Sequence, residues 1–385
     1  MKFPKSFEWP TVNGTMNLVS PLKPSLVGHT TTELLKFVDE EKNGKFRARQ
    51  LSNWIYRRAE FDLSKMNDLP AAFRQRLQEQ VVVQPLHIAR HVTSTDGVDK
   101  LLVHRGDDQV FECVLLPYKD RTSCCLSSQV GCPMGCTFCA TGIGGFDRNL
   151  DASEIVAQYL LLQELRKRNA PKAPEHLQRI SRIVFMGMGE PLLNLDEVKK
   201  ALTIFHDEVG LSYRHITIST VGIVPQIRSL AKEKLPIHLA LSLHSPFDDV
   251  RNRLMPVNKR WPVREVVDSM IDYHHATGRK ITIEYLLIHE VTDTLDQARE
   301  LARLLKGVPS FVNVIPFNYV ATESGFARPK RQQVIAFKRE LESMGIAVTE
   351  RAERGHDIAA ACGQLAGVHT GKFAKREGSI AVSPA

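Results

Sequence analysis

The chain has 385 residues, 43% hydrophobic and 24% charged, enough apolar material for one large core with extensions or for two to three domains. It holds no run of 18 apolar residues and no apolar signal core within MKFPKSFEWP at its start, which argues against a helical membrane span and sets the expectation of a cytoplasmic protein with reduced thiols. Fifty-one Lys and Arg against 43 Asp and Glu give a net charge of +8, a balance that suits a polyanionic partner without requiring one.

In chain order, residues 1–28 are rich in Pro with little apolar periodicity and read as an extended lead-in. A small helical block is expected over 29–80. Thr30-Thr31-Thr32 before Glu33 supply an N-cap region, Leu34, Leu35, Phe37 and Val38 an apolar face, and Asn67-Asp68-Leu69-Pro70 a turn. Arg47, Arg49, Arg57, Arg58, Arg74 and Arg76 of this block are candidates for phosphate contacts; a solvated basic face accounts for each of them equally well. Over 81–118 the rhythm changes to short strands, VVVQPLHIARHVTS, DKLLVHR and QVFECVLLP, separated by turns at Asp96-Gly97 and Gly106-Asp107. They predict an antiparallel insert leading into a core over 119–368.

Within that core, strands are predicted at 182–190, 215–222, 237–244, 280–288, 311–318 and 345–351. Amphipathic helices alternate with them, at 196–205, 224–233, 263–277 and 294–305. Alternation of this kind predicts an α/β fold whose parallel sheet has helices outside and curls into a partial barrel of about six units. Active residues then belong at the carboxyl ends of the strands. The tail, 369–385, is polar and small-residue rich and is expected to be disordered.

Five of the seven cysteines fall between Ser123 and Gly145: Cys124, Cys125, Cys132, Cys136 and Cys139. The last three are spaced Cys-x3-Cys-x2-Cys among glycines, so three thiolates can converge on one point, and iron–sulfur clusters are held by thiolates. Three ligands leave one iron of a cubane open to a chelating substrate. A structural zinc ion is the alternative, but a closed zinc site takes four ligands, and Cys124 and Cys125 would close an awkward loop with the other three. Further along, Gly189 and Glu190 (in MGMGEP), Ser219, Ser242, Leu243, His244 and Asn318 all sit at strand ends. Singly each reads as a turn or a satisfied polar residue; together they mark one rim. Cys362 stands alone in an Ala-rich segment bracketed by Gly355 and Gly363. With Cys125 it makes two thiols outside the triplet, candidates for nucleophilic or redox work.

The cysteine spacing, with Phe138 before its last member, resembles the radical S-adenosylmethionine (SAM) superfamily. SSQVGCPMGCTFCATGIGGFDRNL, GMGEPLLN, LSLHSP, LMPVN, FRARQ…WIY and RGHDIAAACGQLAG together resemble the RlmN/Cfr family of rRNA adenosine methyltransferases, over about 31–368, with the amino-terminal block and GMGEPLLNLDEV nearer the RlmN branch. The resemblance implies a partial (β/α)6 radical SAM barrel, a [4Fe-4S] cluster on Cys132, Cys136 and Cys139, and SAM held by Gly189, Glu190, Ser219, Ser242, Leu243, His244 and Asn318. It implies a methyl group carried by Cys362, Glu112 as the base for the adenine proton, and Cys125 as the thiol that resolves the adduct by forming a disulfide with Cys362. The implied product is an adenosine of 23S rRNA methylated at C2, with a tRNA anticodon-loop adenosine as a further substrate. A flavodoxin-type electron donor and a monomeric, membrane-free enzyme complete the expectation. Cys113 stands where the family has Thr or Ser, Tyr319-Val320 where Pro is usual after Asn318, and His356 and Ala359 where Asp is common. Methylation at C8, as in the Cfr branch, and a non-catalytic zinc-stabilised RNA-binding protein are the alternatives.

Overall fold

The computed structural model describes residues 23–38, 43–107, 109–320 and 325–366; most of the expected lead-in and all of the expected disordered tail lie outside them. Twelve strands occur among the described residues: β1 (His87–Thr93), β2 (Asp99–His104), β3 (Val110–Pro117), β4 (Thr122–Cys125), β5 (Gln129–Gly131), β6 (Phe146–Asn149), β7 (Ile180–Phe185), β8 (Ile216–Thr220), β9 (His238–Ser242), β10 (Ile281–Leu287), β11 (Ser310–Pro316) and β12 (Val348–Glu350). Ten form one sheet in the order β1-β2-β3-β4-β7-β8-β9-β10-β11-β12, and β5 pairs with β6.

From β4 to β12 every neighbouring pair is parallel. Each crossover carries a helix: Ala152–Asn169, Leu195–Asp207, Val224–Glu233, Asp248–Leu254 with Val263–Thr277, Leu295–Leu304, and Arg331–Ser343. Six strand–helix units and a closing strand make the expected α/β partial barrel. The Leu195–Asp207 helix buries one stripe, Val198, Ala201, Leu202 and Phe205 recurring at the spacing of a single helix face, whereas Ala152–Asn169 is buried nearly all round from Glu154 to Gln163. The strands between them are covered on both sides and run almost continuously apolar. No helix of the described residues is long and apolar enough to cross a membrane.

The sequence reading took Thr122–Cys125 as the start of the cysteine loop. It is instead the first parallel strand, fully buried, pairing antiparallel with β3 on one edge and parallel with β7 on the other. Through it, β1–β3 continue the same sheet. The described end of the lead-in is also paired, since Leu26 and Val27 donate backbone bonds to Val82 and Val83 at 2.8 and 3.3 Å.

The helical block docks outside the barrel. Glu208 accepts from the Thr31 N–H and hydroxyl, both at 2.6 Å, and from the Ser52 hydroxyl at 2.5 Å. Its arginines serve this packing. Arg57 donates to the Val209 carbonyl at 2.7 Å, Arg47 to Gln50 and the Asp68 carbonyl, and Arg74 to the Leu63 and Ser64 carbonyls, while Arg58 lies over Trp54 and Arg76 over Phe73. Arg49 is exposed. Replacing Glu208 with Ala strands a buried hydroxyl and a backbone N–H, which should lower stability by about 1–3 kcal/mol. Chemical unfolding of the variant checks this; an unchanged midpoint would mean the block is held by its apolar contacts alone.

Candidate active site

The carboxyl ends of the parallel strands surround a cleft of about 790 Å³, counted out to its mouth, a size typical of small-molecule sites. Of the residues marked out from the sequence, Cys139, Gly189, Glu190, Ser219, Ser242, His244, Asn318 and Cys362 line it. Leu243 does not: it is buried, and contributes its carbonyl to the Arg251 guanidinium at 3.0 Å. Ser219 and Ser242, from adjacent strands, stand with hydroxyls 3.3 Å apart.

The glycines of MGMGEP line this cleft and also fit their loop against its neighbour. A β-carbon on Gly187 would lie 2.6 Å from Ser127 Oγ, and one on Gly189, at φ +101°, 2.6 Å from Gln129 Cβ. The loop is therefore pressed onto the segment between β4 and β5, and the cleft lies along its other side. Ser127 Oγ fixes this, accepting from Met188 N–H and donating to the Glu112 carbonyl.

Glu190 follows at once. Its carboxylate, 2% exposed, accepts from the N–H groups of Leu192 and Val221 at 3.0 and 2.9 Å. Burial drives its pKa up to about 7 against those hydrogen bonds, and no basic side chain of the described residues pairs with it. A second acceptor, Asn318 Oδ1, is buried with no partner. His244 is held in the left-handed region at φ 63°, its Nδ1 accepting from Leu286 N–H at 3.0 Å, so the ring proton sits on Nε2. Burial and the nearby Arg251 charge depress its pKa to about 3, and the ring meets Phe138 edge-on at 4.9 Å. The cleft thus offers a carboxylate, an amide oxygen and a neutral imidazole to a ligand that brings an ammonium and other donors.

Two cationic residues that sequence reasoning missed organise this rim. Arg251 is fully buried among carbonyls of Leu243, Val221 and Ser242 and the Asn258 amide oxygen, tying the ends of β8 and β9 to the LMPVN turn. Its charge also lies near Cys136. Arg351, just past β12, stands 3.6 Å from buried Glu284 of β10 and 3.1 Å from Met186 Sδ. The nearby sulfurs of Cys362 and Cys125, with Glu284, hold its pKa above the ordinary arginine value despite burial. An acid inside the apolar run KITIEYLLI and a base ending GIAVTER were the available signals for this pair.

A second cavity adjoins the first and shares Met186, Ile315, Asn318, Arg351 and Cys362 with it. Its floor is the sheet itself. Val114 pairs with Cys125 and Leu115 with Cys124 across β3–β4, and successive side chains of a strand face opposite ways. Cys125 therefore shares a face with Glu112, Val114 and Leu116, whereas Cys124 and Cys113 point to the other side, toward the layer holding Tyr159. Val114, Leu116 and Cys125 line the cavity with Cys362. Glu112 is outside both linings, its carboxylate taken up by Lys100 and by the Ala366 N–H. All seven cysteines are free thiols, so the expected Cys125–Cys362 disulfide is not a standing bond of the fold.

Cys132, Cys136 and Cys139 flank the first cavity and lie close enough to perturb one another electrostatically; burial pushes all three thiols up, Cys132 to about 12. Among the described residues no three His, Cys, Asp or Glu side chains are gathered for a single ion. A cubane takes each thiolate on a different iron and needs no such convergence, and a coordinated thiol is deprotonated by its metal. The donor set fits three corners of a cluster beside a cleft with spare acceptors.

Residues 126–305 match the model of the Radical SAM superfamily, and residues 25–83 that of the Ribosomal RNA large subunit methyltransferase N-terminal domain. The probable dual-specificity RNA methyltransferase RlmN of Symbiobacterium thermophilum is 46% identical over 344 residues, 88% of this chain and 90% of its own. That of Moorella thermoacetica is 47% identical over 339 residues, covering 86% and 92%. The crystal structure of a radical SAM methyltransferase from Sphaerobacter thermophilus superposes with a TM-score of 0.83 at 41% identity, covering 89% of this chain and 99% of that one.

The raised pKa of Glu190 has a consequence for stability. Its carboxyl is neutral in both states below its ordinary value of 4.5, and as pH rises through about 7 the folded protein loses up to about 3 kcal/mol from this group. Unfolding of the ligand-free protein and of Glu190→Gln, measured from pH 5 to pH 8, should show wild type losing stability relative to the variant. A difference that stays constant with pH would contradict the burial account.

Proposed function

The chain belongs to the RlmN family of radical SAM RNA methyltransferases, which use a [4Fe-4S] cluster and SAM, and on that premise we propose that it methylates C2 of an adenosine in 23S rRNA through a methyl group carried on Cys362. A tRNA anticodon-loop adenosine is proposed as a second substrate. The observation that carries the proposal is the place of Cys362, which lines the first cleft with Cys139 and Glu190 and the second with Cys125.

Adenine C2 is electron-poor and not a nucleophile, so direct displacement from SAM at that carbon fails, whereas a carbon radical can add there. Cys132, Cys136 and Cys139 would hold the cluster, which when bound supplies the electron that cleaves SAM to a 5′-deoxyadenosyl radical. Glu190, buried without a counter-cation, would take the ammonium of SAM; Gly189, Ser219, Ser242, His244 and Asn318 complete the pocket, with the His244 Nε2–H and the Asn318 Oδ1 as directed donor and acceptor, while Leu243 supports the rim from behind through its carbonyl on Arg251. Cys362 would take a methyl group from a first SAM, its thiol proton being lost, and then surrender a hydrogen atom from that methyl. The tether keeps the carbon radical within reach of the base. Glu112 is proposed to accept the C2 proton once its contacts with Lys100 and Ala366 rearrange, with the adduct's unpaired electron passing to the oxidised cluster that the three cysteines would hold. Cys125 would then attack the Cys362 sulfur, form a disulfide and free the product.

Reconstituted enzyme given 23S rRNA fragments and SAM should yield 2-methyladenosine by nucleoside mass spectrometry. Production of 8-methyladenosine instead would move the chain to the Cfr reaction. Changing Cys132, Cys136 or Cys139 singly to Ala should abolish the broad absorbance near 400 nm and SAM cleavage together, and full cluster content in any one variant would sink that ligand assignment.

A further inference from the structure

The segment that carries Cys362 has little regular structure of its own, a single 3-10 turn at His356–Ile358. It is held instead by other elements at both ends. On the barrel side, Asn318 Nδ2 donates to the Cys362 carbonyl at 3.1 Å, Ala140 N–H donates to the Gly363 carbonyl at 2.8 Å, and the Thr141 hydroxyl donates to the Leu365 carbonyl. These contacts join it to the cysteine loop and the end of β11.

On the other side the partners all come from the antiparallel extension. At the turn between β1 and β2, Asp96 Oδ2 accepts from Arg354 Nε at 2.6 Å and from Gly355 N–H at 3.2 Å, and its carbonyl accepts from Arg354 Nη2 at 2.7 Å. The Ser94 hydroxyl and the Thr95 N–H both donate to the Asp357 carboxylate. Gly355, at φ +66°, packs so closely that a β-carbon would come within 3.0 Å of Val98. Along the strands, Lys100 Nζ donates to the Ala359 carbonyl at 3.0 Å and pairs with Glu112 at 2.9 Å, and the other Glu112 oxygen accepts from Ala366 N–H at 2.9 Å. Lys100 and Glu112 are largely buried and lie on the sheet face that floors the second cavity.

We propose that the β1–β2 hairpin and the Lys100–Glu112 pair form a positioning element of the methyl-transfer site, holding the Cys362 segment where its sulfur serves both cavities. The inference rests on Cys362 being the methyl carrier and adds that its reach is set from outside the barrel. Three pegs, at Arg354–Gly355, Asp357–Ala359 and Ala366, span the segment on either side of Cys362. Lys100 and Asp96 are themselves in neither cleft lining, so they are positioning residues, acting through the segment they hold. Loss of a peg leaves SAM cleavage intact but lets the sulfur stray from the hydrogen-abstracting carbon, where a misplacement of about 1 Å costs on the order of a hundredfold.

The test uses the full-length reconstituted holoenzyme with SAM and the rRNA fragment, comparing wild type, Asp96→Ala, Lys100→Met and Lys100→Arg. Two products are counted in each reaction, 5′-deoxyadenosine and methylated adenosine. The expected result is a ratio of 5′-deoxyadenosine to methylated RNA raised at least fivefold in Asp96→Ala and Lys100→Met. Total SAM cleavage and cluster absorbance should stay within twofold of wild type, and Lys100→Arg should restore most of the coupling. Mere loss of folded protein would lower both products together and leave the ratio unchanged. Should Lys100→Met fail to fold, Asp96→Asn on the exposed turn carries the same measurement. Wild-type coupling in the soluble variants overturns the proposal. A wild-type enzyme that cleaves SAM yet leaves no methyl group on Cys362 by peptide mass spectrometry would instead overturn the methyl-carrier reading beneath it.

Discussion

One four-residue strand constrains the whole site. β4 takes antiparallel hydrogen bonds from β3 and parallel ones from β7, so the barrel and its antiparallel extension share a single sheet and a single set of faces. Because side chains alternate along a strand, this pairing decides which thiol is available. Cys125 enters the cavity beside Cys362, while Cys124, one residue away, is committed to the core on the other side. A slip of one residue in register would exchange them.

Around that strand the site is assembled from groups whose hydrogen-bonding capacity is deliberately unequal. Several donors of the rim are already spent: Arg251 on four carbonyl or amide oxygens, the Leu192 and Val221 N–H groups on Glu190. Acceptors remain, in a carboxylate with no counter-cation and an amide oxygen with no partner. Such a cleft is costly when empty and is relieved by a cationic, donor-rich ligand. Arg351, anchored on Glu284, places a guanidinium between the two cavities, near the sulfurs of Cys125 and Cys362.

Much of this was legible in the sequence. The parallel strands after the cysteine loop were readable because both faces are covered and the runs are apolar, and helices such as Val224–Glu233 and Val263–Thr277 because they carry one apolar stripe. The strand ends then marked most of the cleft lining. β4 escaped because TSCC is too short to show a period and its cysteines drew it into the neighbouring loop. The partners of the block arginines were not legible because composition records a charge and not the carbonyl it meets; Arg57 donates to Val209. The roles of Arg251, Arg351 and Lys100 depend on partners 7 to 259 residues away, and no local pattern encodes such a distance. The close approach of Gly187 and Gly189 to Ser127 and Gln129 joins residues some sixty positions apart, which a Gly-rich pattern alone does not reveal.

The central claim is that strand parity makes Cys125 the partner of Cys362, and one measurement addresses it directly. Cys125→Ala and Cys124→Ala, each incubated with SAM, reductant and rRNA fragment, are run on denaturing gels. Resolution of the RNA adduct needs the cavity thiol, so Cys125→Ala should accumulate a protein–RNA crosslink that disappears in the Cys125→Ala/Cys362→Ala double variant, while Cys124→Ala turns over without one. A crosslink in Cys124→Ala together with normal turnover by Cys125→Ala would contradict the account.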